Sequence, residues 1–265
     1  ALELAAQGCH LAISDVSEET LAETKAQLAS AQVQVSTHVV DVADREAMFA
    51  FADDVVKHHG KVNLIFNNAG VSVTDSVEHM RLEDFEWLMN TNFWGVGYGT
   101  QAFLPQLQKA DAGHIVNTAS IFGVVAMPSQ SAYNASKFAV RGFTESLRQE
   151  LADSRIGVTC VQPGGVKTNI VKTSRYYPRD NEAPTRDEAI ASFEAVAALA
   201  PPEAARIILR GVQRNRCRVL VGKDAWLMAT LQRLMPERYP QAIAWVANRL
   251  GPKDDGLSKI INSDK

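Results

Sequence analysis

The stretch SAYNASKFAV (131–140) places Tyr133 four positions before Lys137, with the small residues Asn134, Ala135 and Ser136 between them. Positions i and i+4 are neighbours on a helix surface, so a lysine ammonium there can sit beside a phenol and favour its ionised form. Such a tyrosine is a candidate acid/base. Taking the proton from an alcohol requires a base, and an unperturbed tyrosine, with a pKa of about 10, is almost fully protonated at neutral pH. The same spacing occurs by chance on many exposed helices, so other residues must carry the argument.

The elements that would position this pair are legible as alternating patterns. Short apolar runs at 10–14, 33–40, 62–66, 114–119, 157–161 and 218–222 are separated by helical stretches at 17–31, 44–58, 82–108, 131–152 and 187–213. Continuously apolar strands alternating with helices imply a doubly wound α/β fold with a parallel sheet covered on both faces. In such sheets ligands bind at the carboxyl ends of the strands. Those ends carry Asp15, Asp41-Val42, Asn67-Asn68-Ala69-Gly70, Ser120 and Gln162-Pro163-Gly164. Singly, each has a structural alternative: Asp15 and Asp41 as helix caps, Asn68 and Gly70 as turn formers, Ser120 as a backbone partner. Together they describe a rim suited to a nucleotide, with a carboxylate where a ribose could be held.

The set NNAG (67–70), NTNFWG (90–95), HIVNTAS (114–120), YNASK (133–137) and PGGVKT (163–168), in this order, resembles the short-chain dehydrogenase/reductase family. The resemblance spans nearly the whole chain and implies a Rossmann-like fold, a nicotinamide cofactor (NAD, with NADP possible) and a catalytic set of Asn92, Ser120, Tyr133 and Lys137. By the same resemblance Tyr133 and Lys137 also face the cofactor. Asp41 and Val42 would contact the adenine, Asn68, Ala69 and Gly70 the adenosine side, and Pro163, Gly164, Val166 and Thr168 the nicotinamide end. Lys137, with the positive nicotinamide ring, would favour tyrosinate, Ser120 would hydrogen-bond the substrate oxygen, and Asn92 would help hold Lys137 through backbone and water. A carboxylate at Asp15 accepts hydrogen bonds from ribose hydroxyls and repels a 2′-phosphate, which predicts NAD over NADP.

One departure is large. The family begins with a strand and a TGxxxGxG turn that holds the pyrophosphate at a helix N-terminus, whereas ALELAAQGCHLAISD matches from the middle of the first helix onward. The expectation is a longer natural chain, with roughly twenty residues before Ala1, the length of the usual strand and turn. The sheet of the present chain should then have two unpaired inner edges, beside the strands ending at Ser14 and Phe66, and should bind a dinucleotide poorly.

A formal net charge of -3 supplies no basic field for nucleic acid, and Cys9, Cys160 and Cys217 show neither CxxC nor metal-ligand spacing. A small-molecule substrate, no metal, no nucleic acid, no stable membrane insertion and a cytoplasmic location are expected. One domain over 1–265 is expected, with 171–215 as a substrate-lid region and 223–250 as a C-terminal helical region. Tyr176, Tyr177 and Phe193 are candidate pocket aromatics. Trp226, Leu231, Leu234, Trp245 and Val246 lie at helical spacing, for core or subunit packing or, alternatively, a membrane-surface helix. The family also implies a homodimer or homotetramer. The resulting reading is an NAD(P)-dependent oxidoreductase interconverting a secondary alcohol and a ketone on a hydrophobic small molecule. A non-catalytic nucleotide-binding or structural protein on the same fold is the alternative.

Overall fold

Each apolar run becomes a strand, and polar or glycine residues follow it at its carboxyl end. The computed structural model describes residues 1–177 and 185–250, the side chains of 246–250, and so that of Val246, excepted. In chain order the elements are α1 (Leu2–Ala5), β1 (Leu11–Asp15), α2 (Glu18–Gln27), β2 (Val35–Val39), α3 (Arg45–His59), β3 (Leu64–Asn67), β4 (Val73–Thr74), α4 (Leu82–Met89), α5 (Gly95–Lys109) and β5 (Gly113–Thr118). They continue with α6 (Ser131–Glu150), β6 (Ile156–Pro163), β7 (Arg175–Tyr176), α7 (Arg186–Val196), α8 (Pro201–Gln213), β8 (Arg218–Val221), α9 (Lys223–Leu234) and α10 (Tyr239–Leu250). A π-helical turn, Asn90–Trp94, joins α4 to α5, and a 3-10 turn, Ile121–Gly123, follows β5.

The helix starts have local causes. The Ser17 hydroxyl accepts the Thr20 N–H at 3.3 Å, the Asp44 carboxylate accepts the Ala47 N–H at 3.0 Å, and Thr185 with Glu188 forms a capping box at α7. Asp15 and Asp41 each accept a backbone N–H two residues on, from Ser17 at 3.0 Å and Ala43 at 2.9 Å. The caps of α2 and α3 are therefore Ser17 and Asp44.

All strand pairs are parallel. β3, β5, β6 and β8 form one sheet in that order, β1 and β2 a second, and the two-residue strands β4 and β7 a third. Among the described residues β1 pairs with β2 alone and β3 with β5 alone, so each has one unpaired edge, as expected from the sequence. The two larger sheets share a core: Met48, Phe51, Ala52 and Val55, spaced i, i+3, i+4 and i+7 on α3, pack with Phe103 and Leu107 of α5, Ile115 of β5 and Val158 of β6, with Ala12 of β1 at the margin. Burying a Phe or Leu fully contributes about 1.5–3 kcal/mol. This layer holds the carboxyl ends of β2, β3 and β5 on one rim.

His114 sits opposite Gly157 across β5 and β6, with its Nε2 2.8 Å from the Thr159 hydroxyl. A Cβ at Gly157 would come within 2.5 Å of the imidazole Cε1, so glycine makes the room. Burial, with the nearby Arg148 charge, pushes the His114 pKa down from 6.5 to about 4. The unfolded chain then takes up that proton first. The stability from this site is complete above about pH 6.5 and is lost as pH falls through about 4. Urea midpoints should fall over that window, and in His114→Gln they should fall less steeply.

Candidate active site

The 82–108 stretch reads as one helix in sequence, and the structure breaks it with the π-helical turn at Asn90–Trp94. Such turns widen a helix and re-aim a side chain. Here the side chain is Asn92, 0% exposed. Its Oδ1 accepts the Val71 N–H at 2.8 Å, and its Nδ2 donates to Val71 O at 3.0 Å and to the Ser136 hydroxyl at 3.1 Å. Ser136 in turn donates to Tyr133 O at 2.8 Å, so Asn92 ties the turn after β3 to the start of α6. Lys137 Nζ donates to Thr118 O at 3.0 Å. Asn92 and Lys137 both face Gly70, where an added Cβ would stand 3.4 Å from Asn92 Oδ1 and from Lys137 Nζ.

Ser120 adopts an extended backbone and caps the 3-10 turn, its Oγ accepting the Phe122 N–H at 3.1 Å. The turn lies directly on α6, because a Cβ at Gly123 would come 2.6 Å from Lys137 O. Asn134 stitches the two together, donating to Phe122 O at 2.8 Å and Val125 O at 2.9 Å and accepting the Met127 N–H at 3.2 Å. These contacts bring the Ser120 hydroxyl to the Tyr133 side chain, near enough to lower the pKa of the phenol. The Phe122 ring meets Tyr133 edge-on at 6.1 Å, and Lys137 Nζ lies 5.7 Å from the Tyr133 ring centroid.

Burial dominates the electrostatics of the pair. Burial pushes Tyr133 up to about 12, against a smaller lowering by the Ser120 hydrogen bond, so within this chain it is held as the phenol. Burial also pushes Lys137 down, to about 8. Desolvation disfavours the charged form of each group, the phenolate of Tyr133 and the ammonium of Lys137.

The remaining predicted residues line the strand ends. Asn68 Oδ1 accepts the Thr118 hydroxyl at 3.2 Å, and Ala69 and Gly70 continue that turn beside Asn92. Val42, after Asp41, packs on Gly95, where a Cβ would lie 2.7 Å from its Cγ2. Asp15 stands exposed at the end of β1. Pro163 closes β6, followed by Gly164, by Val166 in a bridge with Leu199, and by exposed Thr168.

The sequence reading missed two groups. Asn67 donates to Asn117 at 2.8 Å and to Thr100 at 3.2 Å, and Asn117 donates to Thr144 at 3.1 Å, a polar chain from β3 through β5 to α6. Asp84 of α4, also 0% exposed, takes ion pairs from Arg81 at 2.9 Å and Arg175 of β7 at 2.7 Å. Burial alone would raise that carboxyl, and hydrogen bonds from Arg81, Arg175 and Tyr177 hold it at about 2 instead. Tyr177 is thereby accounted for as local packing, its hydroxyl bonded to Arg81 and its ring beneath that guanidinium. Arg81 lies three residues before Asp84, but Arg175 lies 91 residues on, and that second pairing leaves no local sequence signal.

Asn92→Ala removes the partners of the Val71 N–H and C=O at once. It should lower stability by about 2 kcal/mol or more, read as a reduced urea midpoint with an unchanged slope.

The comparisons agree with this geometry. The family described as "short chain dehydrogenase" matches residues 1–177. "Putative oxidoreductase SadH" of Mycobacterium tuberculosis is 42% identical over 92% of this chain and 88% of that protein. Human "Estradiol 17-beta-dehydrogenase 11" is 32% identical over 97% of this chain and 80% of that protein. The crystal structure of a short-chain dehydrogenase/reductase from Burkholderia phymatum in complex with NAD superposes with a TM-score of 0.81 at 30% identity, covering 89% of this chain and 88% of that one. With a rim of strand-end polar groups around Tyr133 and Lys137, the chain belongs to the short-chain dehydrogenase family of nicotinamide-dependent oxidoreductases.

Proposed function

We propose that this protein interconverts a secondary alcohol and a ketone on an apolar small molecule, with NAD preferred as cofactor and Tyr133 as the acid/base. The observation that carries the reading is the gathering of Ser120 and Lys137 around Tyr133, with Lys137 Nζ 5.7 Å from its ring centroid. The residues present fit the nicotinamide riboside. Lys137 has three donors and, among the described residues, Thr118 O as its hydrogen-bond acceptor, which leaves N–H groups for ribose hydroxyls. Gly70 keeps the floor between Asn92 and Lys137 free of a side chain. Asp41, Val42, Asn68, Ala69 and Gly70 would hold the adenosine end, and Pro163, Gly164, Val166 and Thr168 the nicotinamide end.

A nicotinamide held there would supply the acceptor for the hydride of the alcohol carbon or, when reduced, the donor for the ketone carbon. Ser120 donates to or accepts from the substrate oxygen and fixes its distance from Tyr133. In reduction the Tyr133 hydroxyl gives its proton to that oxygen. In oxidation Tyr133 Oη must first be unprotonated, and Lys137, held by Thr118 O, is placed to support that state. The apolar wall of Val71, Val73, Phe85, Trp87, Phe122 and Ile170 around Tyr133 favours a hydrophobic substrate and excludes water. The human relative bears the name of an estradiol dehydrogenase, a secondary alcohol on an apolar skeleton, which supports the same class.

The unit is proposed as one domain over 1–265, with 171–215 over the substrate side and 223–250 as a C-terminal helical region. Residues 178–184 and 251–265 of it lie outside the described residues. Among the described residues no helix is long and apolar enough to cross a membrane. A homodimer or homotetramer is supported by exposed apolar groups where α5 and α6 begin: Trp94, 48% exposed and stacked on Tyr98 at 5.8 Å, and Phe138, 42% exposed. The free cysteines Cys9, Cys160 and Cys217 support a reducing, cytoplasmic setting.

In the full-length protein Tyr133→Phe should lower turnover about a hundredfold or more and leave NADH affinity unchanged. Near-normal turnover would refute the assignment. Because Tyr133 is held near 12, its ionised fraction grows with pH throughout the neutral range, so alcohol oxidation should accelerate from pH 6 to 8 while ketone reduction stays level. The Asp15 carboxylate should make kcat/KM higher with NAD than with NADP, and Asp15→Ala should narrow that ratio by about tenfold.

A further inference from the structure

Where β6 runs out, the Pro163-Gly164-Gly165 turn is gripped from two sides. On one side the Gly164 N–H donates to Val221 O at 2.9 Å and the Gly165 N–H donates to Asp224 Oδ2 at 2.6 Å. On the other, Gly165 O accepts the Leu199 N–H at 3.3 Å and the Lys167 N–H donates to Leu199 O at 2.9 Å. Asp224 lies in the first turn of α9, where the unpaired amides of a helix start favour a carboxylate. A carboxylate bond of this length to a backbone N–H is of the strong, charge-assisted kind.

The surroundings are shaped around that one side chain. A Cβ at Gly164 would lie 2.5 Å from Asp224 Cγ, and one at Gly222 would collide with Asp224 Oδ1. Gly222 also has φ +109°, a region that side-chain-bearing residues rarely adopt. A Cβ at Gly165 would lie 3.0 Å from Ala197 Cα and Val196 O on the opposite side. Three glycines therefore admit one carboxylate and let the backbone close on it.

We propose that Asp224 is a positioning residue for the nicotinamide half of the cofactor: by holding the Gly165 N–H it sets the direction in which Val166 and Thr168 leave β6. The inference rests on the dinucleotide reading above. The adenosine end is assigned to residues after β1, β2 and β3, none of which Asp224 bonds, so the two halves of the ligand should respond differently. A role confined to stability would weaken both alike.

The test is calorimetric titration of the full-length protein with NADH and with ADP-ribose, which lacks the nicotinamide. Asp224→Ala should weaken NADH about tenfold and change ADP-ribose less than twofold. Asp224→Asn keeps an oxygen within reach of Gly165 and should hold NADH within about threefold of wild type. If Asp224→Ala does not fold, Asp224→Ser carries the same expectation as Asp224→Ala. Its hydroxyl still supplies an acceptor at the start of α9 but stops short of Gly165. NADH affinity unchanged in the short variants, or NADH and ADP-ribose weakened equally, would overturn the inference and leave the dinucleotide reading intact. Failure of both short variants to fold would make the contact a fold determinant and also overturn it. Absence of binding of either ligand to the wild type would overturn the dinucleotide reading and the inference together.

Discussion

Burying the Lys137 ammonium is the constraint around which the site is organised. At 3% exposure the group has lost most of its hydration, a penalty of several kcal/mol for an ion, and burial has pushed its pKa down to about 8. Such a group needs an acceptor at a fixed place. Thr118 O, at the last residue of β5, is that acceptor, and it serves only if α6 sits at one height against the sheet. The contact of Gly123 with the Lys137 backbone and the three bonds of Asn134 fix that height. Ser120 and Tyr133 meet as a consequence, since the turn that carries one lies against the helix that carries the other.

The same economy of buried polar groups extends into the core. Asn67, Thr100, Asn117 and Thr144 are linked across β3, α5, β5 and α6, where unpaired amides would each cost about 1–3 kcal/mol. Gly99 leaves space for the Asn67 amide, with which a Cβ would clash. A connected polar chain of this kind accepts few alternative registers, so it holds the strand ends to one relative height more strictly than apolar packing alone. The chemistry at the rim depends on that height.

The segment after β6 is fastened by charge instead. Asp84 binds Arg81 on its own helix and Arg175 on β7, and the Arg175 guanidinium lies 3.7 Å from the Trp87 ring centroid. β7 also pairs with β4, which follows the turn held by Asn92. A segment that leaves β6 through the Gly164-Gly165 turn is thus returned to the wall of the site by an ion pair and two strand residues.

The sequence by itself determined the alternation of strands and helices, the polar strand ends, and the Tyr133–Lys137 spacing. Each is a local property: an apolar run, a turn residue behind it, a four-residue step on one helix face. It also foretold, among the described residues, an unpaired edge on β1 and on β3. The tertiary structure alone decided the π-helical turn that aims Asn92, the β4–β7 pairing, and the assembly of Asp84 with Arg175. Those features join residues far apart in the chain, and periodicity reports that a residue is buried without naming its partner. The ionisation of Tyr133 belongs to the same class. The spacing places Lys137 near the phenol, whereas the burial that pushes the Tyr133 pKa up comes from apolar residues of several elements, which no local pattern encodes.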